Sequence, residues 1–537
     1  MKRAIWAPLL AGLVVFLALV LPDRWDQVQP QILLQVPLEL PVLVLLFALL
    51  PWRFTAFAAG LLLALLVTLK FADMGAQQFL GRPFNLVLDS HLLGPGWVVF
   101  AAAAGWPVAL AAAAGTVAAL GLLAFVLVKS MVVLARLVAG YRRVTGLAAA
   151  ALTVAGAGLM AWPSQQLVAA GTSRLALTEA ETTWASIDDL VAFGAEAAVD
   201  PFRAVPPDQL LSGLAGKDVL VVFVESYGRS ALDNPWYADG VRATLAGFDR
   251  TLAAKGFAAR SGFLVSPTFG GQSWLAHSTL AAGLRIDNQR RYDTLVVSDR
   301  STLTHDFQRA GWRTVAVMPG ITKAWPEAGF FGYDQVYAAQ DLGYRGLPFD
   351  WVTMPDQFTL EAFDRLERRT PGRRPLMVEM ALLSSHLPWT PLPALIPWDR
   401  VGDGRVFDGF AQAGDPPDVV WRDPGRVRDQ YRRSIEYSLS VLASYIATRG
   451  DKDLVVIALG DHEPIALVSG EGGGHQVPVH VIAGDPAVLA RLEGWGFTPG
   501  MVPAADAPVW PMEALRGRLL AAFTPAGGMA AVSRSAP

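Results

Sequence analysis

The sequence contains no cysteine among its 537 residues. This absence excludes disulfide bonds and thiolate metal ligands, so a metal site would have to use oxygen atoms and imidazole nitrogens. Charged residues are also sparse, at 17% of the chain, and the formal net charge is −3. Proteins that bind nucleic acid usually carry a basic excess, and we therefore expect no nucleic-acid partner.

Apolar residues, in contrast, make up 53% of the chain and are concentrated in its first third. Five long stretches there carry almost no charge, and most reach the ~20 residues that cross a bilayer. They are residues 4–21, 31–49, 54–67, 106–128 and 145–162. We predict five membrane helices. Residues 92–105 are also apolar but are interrupted by GPG, which favours an interfacial segment over a sixth crossing.

Lysine and arginine are unevenly distributed between the loops that join these helices. With five helices, one side of the membrane carries Lys2, Arg3, Arg53, Lys129, Arg136, Arg142 and Arg143, and the other carries Arg24, Lys70 and Arg82. The more basic loops of a membrane protein face the cytoplasm. We therefore predict a cytoplasmic N-terminus and a C-terminal domain outside the membrane. The first helix lacks a small-residue cleavage motif and is interpreted as an uncleaved anchor.

The chain is expected to divide into three parts. A transmembrane domain covers residues 1–162, a juxtamembrane helix and linker cover residues 163–216, and a folded outer domain covers residues 217–537. In the middle part, residues 178–190 have the pattern of an amphipathic surface helix. The proline-containing residues 200–209 predict an extended linker.

The outer domain alternates apolar runs with helical patterns. Apolar runs predict strands at residues 218–225, 314–318, 376–383, 454–459 and 477–484, and helical patterns cover residues 301–312 and 426–450. Strands that are apolar on both faces and separated by helices indicate a mainly parallel sheet covered on both sides. We predict an α/β domain, in which ligands bind beyond the carboxyl ends of the strands.

Three of these strands end in side chains that bind metals in many proteins. Glu225 ends the first strand, His386 follows the third, and Asp461 and His462 follow the fourth. Two carboxylates and an imidazole form the mixed oxygen and nitrogen set that suits Zn²⁺ or Mn²⁺. Such a set leaves a coordination position open for a reacting group.

Ser273 is the candidate for that reacting group. It follows Gly270 and Gly271 and begins a helical pattern that ends at Gly283. The backbone N–H groups and the dipole at a helix N-terminus favour a phosphate or sulfate oxyanion, and a nearby metal activates a hydroxyl. A serine in this position often only caps the helix, and each residue at a strand end could alone be an ordinary loop residue. Their coincidence indicates a site.

The segments VES at the first strand, GGQS before the helix and GDH after a later strand resemble the alkaline phosphatase superfamily. They are similar to its membrane-anchored, sulfatase-like branch, which includes lipoteichoic acid synthases, phosphoglycerol transferases and phosphoethanolamine transferases. The resemblance covers about residues 218–486, and a five-helix anchor matches the architecture of that branch. It implies a sulfatase-like fold in the bacterial inner membrane, with the catalytic domain on the periplasmic or extracellular side.

The resemblance also implies roles for individual residues. Glu225, Asp461 and His462 match metal ligands, and Ser273 matches the nucleophile and fourth ligand, although the lipoteichoic acid synthases usually have threonine there. His386, in SSHLPW, matches the histidine that binds the substrate phosphate or assists the leaving group. The implied cofactor is one divalent metal, Mn²⁺ or Zn²⁺, with a second metal as an open alternative.

Two further positions resemble substrate-binding residues. Trp325 is similar to the pocket tryptophan of the lipoteichoic acid synthases, but Glu327 stands where those enzymes have an arginine that grips glycerol phosphate. A carboxylate cannot replace a guanidinium toward phosphate. His475 is similar to a histidine of the phosphoethanolamine transferases, with one residue inserted. The sulfatase maturation motif is missing, because WLAH follows Ser273, so the label "sulfatase-like" describes a fold.

Three functions are compatible with this pattern. The first is a transferase that moves phosphoglycerol or a similar head group from a membrane phospholipid to an envelope glycan or lipid, through a covalent intermediate on Ser273. The second is a metal-dependent hydrolase of phosphate or sulfate esters, which uses water as the acceptor. The third is a non-catalytic, membrane-anchored binding domain, which the presence of Ser273, Asp461 and His462 disfavours.

Overall fold

The structure is a computed structural model that describes residues 2–50, 52–80, 82–85, 105–161, 167–470 and 473–526, with isolated positions between 89 and 101. The chain forms two compact units. The first comprises residues 1–78 and 82–189, and the second comprises residues 79–81 and 190–537. The predicted interfacial segment at residues 92–105 lies largely outside the described residues.

Helices build the first unit. They are α1 (Lys2–Val20), α2 (Glu39–Leu49), α3 (Trp52–Leu80), α4 (Trp106–Gly140), α5 (Arg142–Met160) and α6 (Gly171–Ala197), the last of which continues into the second unit. Val36–Pro37 and Val168–Ala169 form a short parallel pair. Among the described residues, three spans are long and apolar enough to cross a membrane: Arg53–Gln78, Trp106–Gly140 and Arg142–Met160. Two shorter apolar helices, Trp6–Val20 and Glu39–Leu49, lie within the other two predicted stretches. The first part of the stretch at residues 31–49 instead forms a 3₁₀ turn and a short strand, and the predicted count of five membrane helices is not confirmed.

Helix α3 is longer than its apolar stretch suggested, and Lys70 therefore lies in a helix rather than in a loop. Its side chain is buried, and its ammonium group donates hydrogen bonds to the backbone oxygens of Ala18 and Leu19 and to the Thr172 hydroxyl. The two backbone oxygens belong to the last turn of α1, where helix carbonyls have no partner within the helix. These three acceptors satisfy the buried ammonium group, so Lys70 can lie within α3 and not in a solvent-exposed loop.

A nine-stranded sheet forms the centre of the second unit. Its strands are β1 (Asp218–Val224), β2 (Ala258–Val265), β3 (Arg313–Met318), β4 (Gln335–Ala338), β5 (Leu376–Leu382), β6 (Leu454–Gly460), β7 (Gln476–Ala483), β8 (Thr498–Pro499) and β9 (Val509–Pro511). Their order across the sheet is β8-β2-β7-β6-β1-β5-β3-β4, and β9 pairs with β2. Strands β1, β3, β5, β6 and β7 lie where the apolar runs predicted them.

The sheet contains both parallel and antiparallel pairs, so the prediction of a mainly parallel sheet is not confirmed as stated. Strands β4, β3, β5, β1 and β6 pair in parallel, but β7 runs antiparallel to both β6 and β2, and β8 runs antiparallel to β2. A parallel neighbour requires a crossover connection, which is usually a helix. The described part of the connection from β6 to β7 contains only one four-residue helix, Ala466–Ser469. The chain therefore returns antiparallel.

Helices cover both faces of this sheet. The longer ones are α7 (Ala238–Ala253), α8 (Ser273–Ala282), α9 (Gln289–Val296), α10 (Leu303–Arg309), α11 (Asp356–Phe363), α12 (Pro424–Arg449) and α13 (Ala514–Phe523). Shorter helices are Ser230–Asp233, Ala328–Phe331, Asp408–Ala413, Pro417–Val420, Ala466–Ser469 and Pro486–Ala490. Short 3₁₀ turns occur at Trp25–Gln27, Pro30–Leu34, Ser212–Leu214, Ala339–Leu342, Trp398–Arg400, Arg405–Phe407 and Glu493–Trp495, and a π turn at Asp364–Arg368.

Each face of the sheet has its own apolar core. Successive side chains of a strand point to opposite faces, and all seven residues of β1 are buried. Val222 packs in the core that includes α7, α11 and α12, whereas Phe223 packs in the core that includes α8, α10 and α13. Double coverage explains why β1 and β6 are apolar throughout, and it leaves their carboxyl ends as the place where polar side chains can meet.

Candidate active site

The candidate metal ligands lie at one edge of the sheet, because β1 and β6 are parallel neighbours that end together. Glu225 directly follows β1, and Asp461 and His462 directly follow β6. The Oδ1 atom of Asp461 accepts two backbone hydrogen bonds, each 2.8 Å long, from Ser226 N and from His462 N. The backbone turns after both strands therefore hold one carboxylate in place.

Glu225, Asp461 and His462 form a compact buried cluster. Each offers one ligand atom, and these atoms lie within 4.8 Å of one another. The Nε2 atom of His462 is 3.2 Å from Glu225 Oε1 and 3.6 Å from Asp461 Oδ2. Within the described part of the chain, this is the one group of three or more such residues that could hold a metal ion.

The hydrogen bond at the other ring nitrogen fixes the direction of His462. Its Nδ1 atom lies 2.8 Å from the backbone oxygen of Glu463, which can only accept a hydrogen bond. Nδ1 must therefore carry a proton, and in the neutral ring Nε2 then presents its lone pair to the cluster. A metal-binding histidine is commonly oriented in this way.

Burial and mutual charge set the protonation of the cluster. Burial, followed by the charge of Glu225, raises the pKa of Asp461 to about 6. Burial lowers the pKa of His462, but the charges of Asp461 and Glu225 outweigh it and raise that pKa to about 9. Burial raises the pKa of Glu225, but the hydrogen bond with His462 and the charges of His386 and His462 hold it well below its ordinary value. Without a cation, an imidazolium thus stands between two carboxyl groups.

The cluster fits a divalent cation. The Oδ2 atom of Asp461 is buried and has no hydrogen-bond partner, a costly state for a carboxylate oxygen. Oxygen from two carboxylates and nitrogen from one imidazole form a donor set that both Mn²⁺ and Zn²⁺ accept. A cation bound by Glu225, Asp461 and His462 would supply the missing partner of Asp461 Oδ2.

Ser273 reaches the same cluster from a different part of the chain. Its hydroxyl donates a hydrogen bond of 3.0 Å to Glu225 Oε2 and lies 3.2 Å from His462 Nε2. Ser273 is the first residue of α8, and the residue before it, Gln272, makes no side-chain cap. The hydroxyl of Ser273 therefore faces the cluster instead of capping its own helix.

The loop before Ser273 is held in a strained conformation. Gly270 and Gly271 have φ values of 69° and 150°, and Gln272, which is not glycine, has a φ of 64°. Positive φ values are unfavourable for residues with a Cβ atom and often mark functional sites. Gly270 N donates a 2.8 Å hydrogen bond to Glu463 O, two residues after Asp461. This bond fastens the loop before Ser273 to the segment that carries Asp461 and His462.

His386 lies at the same edge, after β5, which is the other parallel neighbour of β1. Its Nδ1 atom contacts the backbone oxygen of Leu387, and its charge acts on Glu225. Next to it, the hydroxyl of Ser385 donates a hydrogen bond to Glu225 O. His386 is thus close to the cluster without being part of the group of ligands, a placement suited to contacts with substrate.

Trp325 and His475 lie outside the metal cluster. Trp325 is half-buried, and it packs against Phe331 and Tyr333 in a small apolar core that also contains Leu275 of α8. His475 is half-buried beside Phe269, which lies in the loop before Ser273, and the two ring centroids are 5.9 Å apart. Both residues therefore adjoin segments that carry Ser273.

A second polar group, formed by His277 of α8, Glu379 and Tyr333, was not predicted from the sequence. His277 Nδ1 is 2.8 Å from Glu379 Oε1, and the Tyr333 hydroxyl donates a 2.8 Å hydrogen bond to Glu379 Oε2. One local signal was available: Glu379 is the one charged residue in strand β5, LMVEMAL, and a buried charge needs polar partners. Its partners could not be found from local pattern, because His277 is 102 residues away in the chain.

The fold and the site together define an α/β domain with a carboxylate and histidine cluster and a serine at a helix N-terminus. No family model matches the chain, and no curated protein matches it. Among solved structures, 70 chains match. They include one described as a protein of the alkaline phosphatase superfamily from Vibrio parahaemolyticus, with 16% identity, a TM-score of 0.33, and coverage of 55% of this chain and 67% of that one.

Two other matches are enzymes of classes that the motifs resemble. The lipoteichoic acid synthase LtaP from Listeria monocytogenes has 14% identity and a TM-score of 0.38, over 59% of this chain and 74% of that one. The phosphoglycerol transferase GacH from Streptococcus pyogenes, solved with sn-glycerol-1-phosphate, has 12% identity and a TM-score of 0.34, over 65% and 90%. Matches this distant assign no role to any residue here, so a function has to be inferred from the residues of the site.

Proposed function

We propose that this protein is a metal-dependent, membrane-bound transferase that moves a phosphoglycerol or similar head group from a phospholipid to an acceptor in the cell envelope. The observation that carries the proposal is the position of Ser273, whose hydroxyl lies 3.0 Å from Glu225 Oε2 and 3.2 Å from His462 Nε2 at the start of a helix. A hydroxyl placed there is a nucleophile beside a metal site, and the helix N-terminus favours a phosphate group.

The proposed reaction is a double displacement. The Ser273 oxygen attacks the phosphorus of a lipid phosphodiester, the bond from phosphorus to the diacylglycerol oxygen breaks, and the head group remains on Ser273 as a new phosphodiester. An acceptor hydroxyl then attacks the same phosphorus and gives its proton to His386, and the bond from phosphorus to the Ser273 oxygen breaks, which releases the serine. A divalent metal, when bound, supplies positive charge that favours ionised Ser273 and stabilises the transferring phosphoryl group.

The protein's own groups orient the substrate and move protons. Ser273 begins α8, so the positive end of the helix dipole lies beside the transferring phosphoryl group and favours its negative charge. We assign the proton that the leaving diacylglycerol oxygen gains to His386, beside Glu225. Trp325 and His475 are assigned to the head group, since each adjoins a segment that carries Ser273.

The apolar helices support a lipid donor. In the part of the chain that the structure describes, three spans are long enough to cross a bilayer, and two shorter apolar helices accompany them. We propose five membrane helices within residues 1–162, a linker over residues 163–216, and a catalytic domain over residues 217–537 on the outer side of a bacterial inner membrane. An active site tethered to a bilayer meets phospholipids without a separate encounter in solution, and a glycan or lipid of the envelope is the proposed acceptor.

Intact mass spectrometry of the detergent-solubilised full-length protein tests this proposal. The protein is incubated with Mn²⁺ or Zn²⁺ and mixed bacterial phospholipids, and the mass of an adduct identifies the transferred head group. We expect an adduct on the wild-type protein and none on Ser273→Ala. Ser278→Ala is the matched control, because the Ser278 hydroxyl lies on the same helix but donates to Trp274 O. The control should form the same adduct as the wild type.

The outcomes separate the three functions that the sequence left open. If no adduct forms while p-nitrophenyl phosphate or p-nitrophenyl sulfate is hydrolysed, the transferase proposal fails and a hydrolase using the same serine replaces it. A stoichiometry of two metals for each chain, measured by atomic emission, would favour that hydrolase. If metal binds and neither reaction occurs, the protein is a binding domain. An adduct that persists in Ser273→Ala would contradict the assignment of the nucleophile.

A further inference from the structure

A buried carboxylate lies beneath the candidate active site, in the middle of β5. Glu379 is 3% exposed and pairs across the sheet with Val221 of β1 and Ala316 of β3. Both neighbouring residues are apolar, and no lysine or arginine pairs with Glu379 among the described residues. Its carboxylate oxygens are bonded to His277 and to Tyr333.

The first of these bonds reaches the helix of the candidate nucleophile. His277 follows Ser273 by four residues, so the two side chains lie one turn apart on the same face of α8. The imidazole of His277 stacks on Phe223 of β1, with ring centroids 3.7 Å apart and an interplanar angle of 20°. Stacking and the bond to Glu379 together fix the rotation of α8 against the sheet.

The second bond reaches the segment that carries Trp325. Tyr333 donates to Glu379 Oε2 and packs against Trp325, with ring centroids 6.4 Å apart. Trp325 in turn donates from its indole nitrogen to the Tyr292 hydroxyl. Burial, followed by the charge of Glu379, raises the pKa of Tyr333 well above its ordinary value, so its hydroxyl remains a hydrogen-bond donor.

Stability alone does not explain a carboxylate at this position. Ionised groups are costly to bury, and an apolar side chain of similar volume is often neutral or stabilising in their place. Two directional hydrogen bonds from one carboxylate have another effect, since they fix two elements relative to each other more narrowly than apolar contact does. The elements fixed here are those that carry Ser273 and Trp325.

We propose that Glu379 is a positioning residue that couples the nucleophile helix to the substrate-binding segment, by holding His277 with one carboxylate oxygen and Tyr333 with the other. The proposal builds on the function proposed above, because it takes Ser273 as the nucleophile and Trp325 as a contact of the head group. The coupling itself is a property of the chain, and it is measurable without metal or substrate.

Hydrogen exchange of the metal-free, full-length protein measures the coupling. Tyr333→Phe removes a single oxygen atom, so folding should be preserved. We expect faster exchange of backbone amides both in the segment around Trp325, residues 320–333, and in the first two turns of α8. Tyr337→Phe is the matched control, because Tyr337 donates a 2.8 Å hydrogen bond to another buried glutamate, Glu367, whose other hydrogen-bond donor is Arg313 and not a residue of α8. The control should leave α8 unchanged.

Turnover measures the consequence for reaction. With Mn²⁺ and bis(p-nitrophenyl) phosphate as the diester probe, Glu379→Gln should lower kcat about tenfold with little change in KM, because a small displacement of the nucleophile affects the chemical step. In this variant an amide NH₂ replaces one acceptor oxygen, so it cannot accept both hydrogen bonds. Tyr333→Phe should lower kcat in the same direction.

Two results would overturn the proposal. One is faster exchange in Tyr333→Phe that stays within residues 320–333 and leaves α8 as in the wild type. The other is an active wild type in which Glu379→Gln folds and retains the wild-type kcat. Absence of diesterase activity in the wild type would count against the proposed function, whereas the exchange measurement would still decide whether Glu379 couples the two segments.

Discussion

Replacing Asp461 with asparagine is expected to stabilise the metal-free protein while removing metal binding. Asparagine has nearly the same shape, and its carbonyl oxygen can keep the backbone hydrogen bonds from Ser226 and His462. Its amide nitrogen takes the place of Oδ2, the carboxylate oxygen without a hydrogen-bond partner. The change therefore removes a buried negative charge beside Glu225 and supplies a hydrogen-bond donor there.

The pKa of Asp461 gives the size of the expected gain in the free energy of unfolding. Burial and the charge of Glu225 raise that pKa from 3.8 to about 6. Each pKa unit corresponds to about 1.4 kcal/mol, so ionised Asp461 costs the folded state up to about 3 kcal/mol. Relaxation around buried charges reduces such values, and we expect a gain of about 1–2 kcal/mol. Because the folded-state pKa lies above the unfolded one, the gain is complete above about pH 6 and disappears below about pH 4, where both states are protonated.

Urea unfolding of the detergent-solubilised, metal-free protein at about pH 7.5 and about pH 4 measures this gain. The rise in melting temperature on addition of Mn²⁺ measures metal binding in parallel. Asp453→Asn is the matched control, because it removes one charge from a half-exposed carboxylate paired with Lys217, where we expect a change within about 0.5 kcal/mol. The reasoning is refuted if Asp461→Asn is less stable than the wild type at neutral pH, or if Mn²⁺ stabilises both equally.

Three other substitutions test the packing and buried charges of the second unit. Gly460→Ala should prevent folding, because a Cβ atom there would lie 1.9 Å from Tyr227 O, and a wild-type circular dichroism melt would contradict this. Arg516→Met should cost about 3–5 kcal/mol in urea unfolding, since it leaves the buried Asp306 without the guanidinium that it pairs with. Burial raises the pKa of Asp356 to about 6, so Asp356→Asn should gain stability relative to the wild type as pH rises from about 4 to about 6. A difference that does not change with pH would contradict the raised pKa.

The apolar pattern of the sequence predicted β1, β3, β5, β6 and β7 and missed β2, β4, β8 and β9, for physical reasons. Strands buried on both faces are apolar runs, and such runs are visible locally, as in β1 and β6. Strand β2 reads AARSGFLV, and its Arg260, Ser261 and Gly262 interrupt the apolar pattern. Its direction and place depend on pairing with β7, which no local pattern reveals.

Part of the candidate site could likewise be predicted from the sequence, and part could not. Glu225, Asp461, His462 and Ser273 could be proposed from sequence because strand ends and a glycine-rich turn have local patterns, and the structure brings the four together. The group around Glu379 could not be proposed from the sequence. A glutamate within a strand and a histidine on a helix have no local pattern that shows that their side chains are in contact. A side chain that positions another side chain does so through contacts in the folded structure, and the pattern of a single sequence does not show those contacts.

The pairing of β2 with β7 also bears on the order in which the chain is synthesised. Strand β2 leads into the loop before Ser273, and β2 pairs along its whole length with β7. Ser261 and His480, which bond to each other across this pair, are 219 residues apart. A growing chain therefore exposes Ser273 long before it has made β6, which precedes Asp461 and His462, or β7. Ser273 gains its place only when nearly the whole domain has left the ribosome, so an interrupted chain contains the serine without the cluster that it contacts in the folded domain.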